Sequence, residues 1–254
     1  MKILYIQPLH EAGMARLAER YTVCVAPDTR RETLLQAVAD ADVLITRLTP
    51  LDAELLAAGK RLKAVAKHGV GVDNIDTTYC ANRGIAVLTT GDANSVTVAE
   101  HAMLAIGALF KRIAYLDRAM RRGDWAARDQ AGSFDLEGRM LGIVGFGRIG
   151  RHLARMASQG FGMLVGVFDP YVVRADIEAA GCEAFDDLDD LLAQADAISP
   201  HVPLTRETRH LLDGRRLSLM KPGALVINFA RGGVVCEEAL EAALASGQIG
   251  GAAL

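Results

Sequence analysis

Residues 141–150 read Leu-Gly-Ile-Val-Gly-Phe-Gly-Arg-Ile-Gly, an apolar run that passes through spaced glycines into an amphipathic stretch. No other segment limits the fold so strongly. A G-x-G-x-x-G pattern carries weight when it joins a strand to a helix inside a parallel βαβ unit. There Gly145 permits the tight turn, Gly147 leaves no Cβ between the backbone and a pyrophosphate, and Gly150 lets the helix lie close on the strand. The helix N-terminus then offers unpaired N–H groups and a positive dipole end to phosphates. An acidic residue about 20 positions further on is the next requirement, because it receives the adenosine ribose hydroxyls. Asp169 meets it, closing the run Val165-Gly166-Val167-Phe168. Its charge would repel a 2′-phosphate, and Pro170 and Tyr171 follow with no adjacent Arg to hold one, so the expected cofactor is NAD rather than NADP.

The same alternation of short β-branched runs with helical patterns extends through nearly the whole chain, as parallel βαβ units do. Strands are expected over residues 2–7, 22–26, 43–46, 62–67 and 85–88, with helices such as 11–20 and 31–39 between them. A long amphipathic stretch then runs from Asn94 and Ser95 to about Arg122, followed by a polar segment, 123–138, with the only tryptophan, Trp125. After it, strands are expected at 141–145, 164–168, 197–201 and 225–228, with helices opening at Arg148, Arg174, Leu188, Arg215 and Glu237. The expected architecture is α/β: two Rossmann-like domains, each a doubly wound parallel sheet, with an active-site cleft between them. Residues 1–91 read as one such domain and 92–254, which carry the glycine turn, as the NAD-binding domain. Residues 247–254 read as a turn feeding one more strand, at which the pattern stops.

Composition narrows the function classes. At 254 residues the chain has room for about 1.7 domains of roughly 150 residues. Lys and Arg total 28 against 31 Asp and Glu, a net charge of −3 that supplies no cationic field for nucleic acid. Cys24, Cys80, Cys182 and Cys236 form no close pair, which argues against a zinc or C-x-x-C site and suggests a reducing, cytoplasmic setting. The best apolar helix candidate, residues 96–110, is interrupted by Glu100 and His101, so no membrane span is expected. Arg231 follows the 225–228 strand, at the carboxyl edge where α/β sheets bind ligands. Its planar fork suits a carboxylate.

Five motifs recur in order: Gly69-Val70-Gly71-Val72-Asp73-Asn74-Ile75-Asp76; Asn94-Ser95-Val96 with Ala99-Glu100; the 141–150 segment; His201-Val202-Pro203-Leu204-Thr205 with Thr208; and Asn228-Phe229-Ala230-Arg231-Gly232-Gly233. Together they resemble the D-isomer-specific 2-hydroxyacid dehydrogenases, and the resemblance spans essentially the whole chain. It implies hydride transfer between NAD and a small 2-keto or D-2-hydroxy acid, with residues 1–91 as the substrate-binding domain, lacking a C-terminal return helix. It also implies that Arg148 and Ile149 lie under the pyrophosphate, Asp169 on the ribose, Val202, Pro203 and Thr208 along the adenine side, and Phe229 and Ala230 near the nicotinamide. The amides of Val70 and Gly71 would hold the substrate carboxylate, and a Gly-x-Gly turn at a strand end does expose N–H groups to an anion. Arg231 is the expected catalytic residue. Arg47, at the end of the 43–46 strand, is a candidate for a distal anionic group or simply a solvated loop arginine.

The resemblance also implies a catalytic His oriented by a Glu, tens of residues beyond the arginine motif, and neither lies before Leu254. Either the sequence is a piece of a longer enzyme, or the protein is a redox-silent NAD(H)-binding sensor or scaffold; an exposed half βαβ unit favours the first. His68 and His201 are the in-chain histidines nearest the expected ligands, with His201 assigned to the cofactor wall. A methyltransferase using the same glycine turn is disfavoured by Arg231 and the Val70, Gly71 turn. Relatives dimerise through the cofactor domain, and Met103, Leu104, Leu109, Phe110, Leu116 and Met120 supply more apolar surface than one buried helix face needs, so a homodimer is expected.

Overall fold

The computed structural model describes residues 1–254, which divide into two compact units, Met1–Asn94 and Ser95–Leu254. In the first, β1 (Lys2–Tyr5), β2 (Thr22–Val25), β3 (Val43–Thr46), β4 (Ala64–Lys67) and β5 (Ala86–Leu88) form a parallel sheet in the order β2-β1-β3-β4-β5. The connections are α1 (Glu11–Ala18), α2 (Arg31–Val38), α3 (Ala53–Ala58) and α4 (Thr77–Asn82). Leu4, Ile6, Leu44 and Val65 from the sheet pack with Leu34, Val38, Leu55 and Leu56 from α2 and α3. Each such side chain contributes about 1.5–3 kcal/mol by leaving water. Asp52 and Asp76 cap α3 and α4 by accepting from the N–H groups of Leu55 and Tyr79, which fixes where those helices start.

The second unit opens with α5 (Ser95–Phe110), α6 (Ile113–Arg121) and α7 (Ala127–Gln130). Its sheet then builds from β6 (Met140–Val144), β7 (Leu164–Phe168), β8 (Glu183–Ala184), β9 (Ala197–Pro200), β10 (Ala224–Ile227) and β11 (Ile249–Ala253), parallel throughout in the order β11-β10-β9-β6-β7-β8. Between the strands run α8 (Arg148–Arg155), α9 (Arg174–Glu178), α10 (Leu188–Gln194), α11 (Gly214–Leu219) and α12 (Glu237–Ala245). One sheet face meets Ala99, Ala102 and Ile106 of α5 and Leu153 of α8; the other meets Leu191 and Leu192 of α10, Leu217 of α11 and Leu240 of α12. Helices on both faces make this a doubly wound α/β sheet. Gly142 and Gly166 are register partners on β6 and β7, and a Cβ on either would crowd Leu191, at 3.3 and 2.7 Å. Glycine at both places therefore lets α10 sit close on the strands.

The long stretch expected to reach Arg122 is two helices. Phe110, buried at the end of α5, lies under the Arg139 guanidinium, which also stacks on Phe134 at 4.6 Å. Phe134 donates its N–H to Phe110 O and Lys111 pairs with Asp135, so the returning segment grips the helix end. The chain leaves through Arg112 in the left-handed region at φ 52°, and α6 starts afresh. No helix of the chain is long and apolar enough to cross a membrane.

Candidate functional site

Three strands of the second sheet, β6, β9 and β10, end side by side at one edge, and their following turns carry most of the expected residues. The strand expected to reach Gly145 stops at Val144. Gly145 takes φ 95°, and a Cβ on it would lie 2.9 Å from Val202 Cγ1 and 3.0 Å from His201 O. The turn is therefore pressed against the chain leaving β9. Gly150 is pressed as hard from the other side, because its Cβ would fall 2.3 Å from Gly145 O. Gly147 differs, with nothing within 4 Å of its Cβ position. It is also the N-cap of α8 and brings no side chain to the helix end. The first turn of α8 thus faces open space with N–H groups that no capping side chain satisfies.

Asp169 does more than the sequence indicated. Its Oδ2 accepts from Phe146 N at 2.7 Å and its Oδ1 from Tyr171 N at 2.9 Å. The carboxylate thereby ties the end of β7 to the glycine turn after β6. An ionised carboxylate has about four lone-pair sites, so two remain for ribose hydroxyls. Phe146 is buried beneath the turn with Arg151 4.5 Å over its ring, while Arg148 is exposed and Ile149 packs partly into the core. After β9, Val202 is half-buried and Pro203 exposed. Thr208 staples that loop by donating to Pro203 O at 2.6 Å and accepting from Thr205 N at 2.7 Å.

His201 stands at the junction. Its N–H donates to Val144 O at 2.7 Å, and its Nε2 lies 3.0 Å from the Oγ of buried Ser199, which in turn donates to Ile227 O. The other ring nitrogen, Nδ1, is buried without a hydrogen-bond partner. Burial pushes the imidazole pKa down to about 4, so the ring is neutral near pH 7.

After β10, buried Asn228 shapes the next turn from inside: its Oδ1 accepts from Ala230 N and its Nδ2 donates to Arg231 O. Arg231 therefore leaves the sheet with a fixed backbone, and one of its guanidinium nitrogens donates to Ala230 O at 2.7 Å. Phe229 stacks against His101 of α5 with ring centroids 4.7 Å apart.

The first unit carries a separate turn at the carboxyl end of β4. Gly69 has φ 151°, and neither Val70 N–H nor Gly71 N–H donates to a backbone carbonyl. Lys67, expected only as a strand end, and Asn74, part of the first motif with no role of its own, brace this turn. Lys67 Nζ donates to Asn74 Oδ1 at 2.5 Å and also to the carbonyl of Arg47, and Asn74 Nδ2 donates to Thr49 O at 2.8 Å. The signal was Asn74 itself, a residue able to donate and accept at once inside the Val72-Asp73-Asn74 run. Arg47 and His68 are exposed at the same sheet edge.

A family model for the D-isomer specific 2-hydroxyacid dehydrogenase, NAD binding domain, matches residues 103–254. The chain belongs to this family. It is 39% identical over 255 residues to a D-3-phosphoglycerate dehydrogenase of Methanocaldococcus jannaschii, covering all of this chain and 48% of that protein, so it spans about half of that relative's length. It is 46% identical over 256 residues to a (S)-sulfolactate dehydrogenase of Chromohalobacter salexigens, covering 99% of this chain and 82% of the relative. Among solved structures, D-lactate dehydrogenase from Aquifex aeolicus, complexed with NAD and lactic acid, superposes with TM-score 0.90 at 31% identity, over 99% of this chain and 75% of that one. NAD is the family's cofactor, and the open space at Gly147, the uncapped helix end, the Asp169 carboxylate and the unpaired His201 nitrogen fit a dinucleotide.

Gly150→Ala must push α8 off Gly145 and is expected to destabilise the protein by about 1–3 kcal/mol. Gly147→Ala, which meets open space, is expected to change stability by less than about 0.5 kcal/mol while weakening NADH binding. Urea unfolding and calorimetric titration of the two variants check the contrast.

Proposed function

We propose that the protein is an NAD-dependent oxidoreductase that interconverts a small 2-keto acid and its D-2-hydroxy acid. One observation carries the reading: the glycine turn after β6 and Arg231 after β10 emerge from the same sheet edge, with only β9 between them. Bound at the glycine turn, NAD supplies the hydride acceptor or donor. Gly145, Gly147, Arg148, Ile149 and Gly150 hold its pyrophosphate against the α8 N-terminus, and Asp169 receives ribose hydroxyls. Val202, Pro203 and Thr208 wall the adenine side; Phe229 and Ala230 flank the nicotinamide.

In this reading residues 1–91 form the substrate-binding domain and 92–254 the cofactor domain. The N–H groups of Val70 and Gly71 hold the substrate carboxylate, as a backbone turn holds other anions. Arg231 orients the carboxylate and keto oxygen with its planar fork and stabilises negative charge developing on that oxygen. Arg47 takes a second anionic group on the substrate. The two relatives, a D-3-phosphoglycerate dehydrogenase and a (S)-sulfolactate dehydrogenase, favour an acid of that kind.

Arg231→Lys keeps the charge but loses the fork, and is expected to cut turnover at least about a hundredfold with NADH affinity nearly unchanged. Absorbance at the NADH band with hydroxypyruvate, glyoxylate and their phosphorylated or sulfonated analogues, beside titration with NADH and NADPH, tests the whole reading. Tighter NADPH binding would remove the role given to Asp169, and NADH binding by the whole gene product without turnover on any 2-keto acid would leave a redox-silent nucleotide-binding protein. In the same assay Arg47→Ala is expected to raise KM for phosphorylated or sulfonated acids only; unchanged kinetics on every acid refutes a role for Arg47.

The second unit exposes Leu104, Ile113, Met120, Trp125 and Phe134 on α5, α6 and the segment that follows. That much apolar surface on one arm supports a homodimer formed through the cofactor domain. Light scattering at micromolar concentration is expected to give twice the chain mass of 27.1 kDa, and a monomer there refutes the dimer.

A further inference from the structure

We propose that His201 binds the cofactor: its Nδ1 accepts a hydrogen bond from an O–H or N–H group of bound dinucleotide. The inference rests on the NAD reading above and adds a residue that the motif logic used only as wall.

The geometry has three parts. First, the ring's place is fixed, because the His201 N–H is tied to Val144 O at 2.7 Å and its carbonyl lies 3.0 Å from where a Gly145 Cβ would stand. The residue is thus wedged between the glycine turn and the end of β10. Second, the tautomer is set from inside the sheet. Ser199 Oγ donates to Ile227 O at 3.2 Å, so it accepts from His201 Nε2 at 3.0 Å, which leaves the lone pair on Nδ1. Third, that lone pair is buried and finds no partner in the protein. An unpaired buried acceptor costs about 1–3 kcal/mol, and such atoms are rare in folded proteins. Its position at the edge where β6, β9 and β10 end gives the dinucleotide the means to satisfy it. No ionisation is needed, since the buried ring stays neutral down to about pH 4. Ser199 is a positioning residue in this scheme, acting only through the ring.

Calorimetric titration of wild type, His201→Phe and His201→Asn with NADH and with ADP-ribose tests the assignment. The Asn side chain keeps an acceptor near the Nδ1 position, and Phe keeps the shape without it. His201→Phe is expected to bind NADH about tenfold more weakly, with His201→Asn within about threefold of wild type. Loss with both ligands points to a donor in the ADP-ribose part; loss with NADH alone points to the carboxamide. In wild type, the 15N shift of Nδ1 is expected to report an unprotonated nitrogen that moves on NADH addition, a readout independent of whether variants fold. Equal NADH binding by folded His201→Phe, or a protonated or unmoved Nδ1, overturns the proposal; if Nδ1 holds only solvent, both follow. Failure of wild type to bind NADH at all would instead bring down the functional reading on which it rests.

Discussion

The close approach of Gly150 to the Gly145 carbonyl is the constraint on which the rest of the second unit depends. A side chain at Gly150 would force α8 away from the turn after β6, and one at Gly145 would strike Val202 and the His201 carbonyl in the chain leaving β9. With α8 held down, Phe146 is buried beneath the turn and its N–H reaches Asp169 across from β7. The turn is therefore locked by two strands at once, and its free N–H groups are presented by a rigid backbone. Rigidity matters for binding an anion, because donors fixed beforehand lose little freedom when the ligand arrives.

The parts of this design that repeat along the chain were legible in the sequence. The alternation of β-branched runs and helical patterns located both sheets, and the G-x-G-x-x-G spacing located the turn and the acid that serves it. Reach and closure were not legible. The break after Phe110 comes from Arg139, Phe134 and Asp135, a segment more than twenty residues away that grips the helix end. No local pattern around Lys111 and Arg112 encodes it. Asp169 stood out in the sequence by its spacing from the glycine turn, but not as the lock on that turn, because spacing along the chain does not reveal which N–H the carboxylate meets. Lys67 escaped notice for the same reason: a long side chain braces a loop by its length, which periodicity does not measure.

Both units present backbone N–H groups without a protein acceptor at a turn that follows a strand. In the first, the Val70 and Gly71 amides stand clear of the carbonyl network while Lys67 is occupied with Asn74 and the Arg47 carbonyl. In the second, the α8 end offers amides with no side-chain cap. A chain with net charge −3 cannot gather anions by a general field, so short-range donors must select them. Backbone donors also tolerate a neutral resting state better than a buried cation would, since an unpaired buried charge is far costlier than an unpaired amide.

The same reasoning explains why a histidine suits the junction of β6, β9 and β10. A lysine or arginine buried there would have to be desolvated, at a cost that a neutral imidazole avoids. An imidazole held neutral by burial keeps one nitrogen bonded into the sheet through Ser199 and leaves the other as a buried acceptor without a partner in the protein. In the proposed reading the charge that meets the substrate is supplied by Arg231 at the neighbouring turn. In that reading the residues around it supply shape, amides and acceptors for a dinucleotide and leave the substrate's negative charge to Arg231.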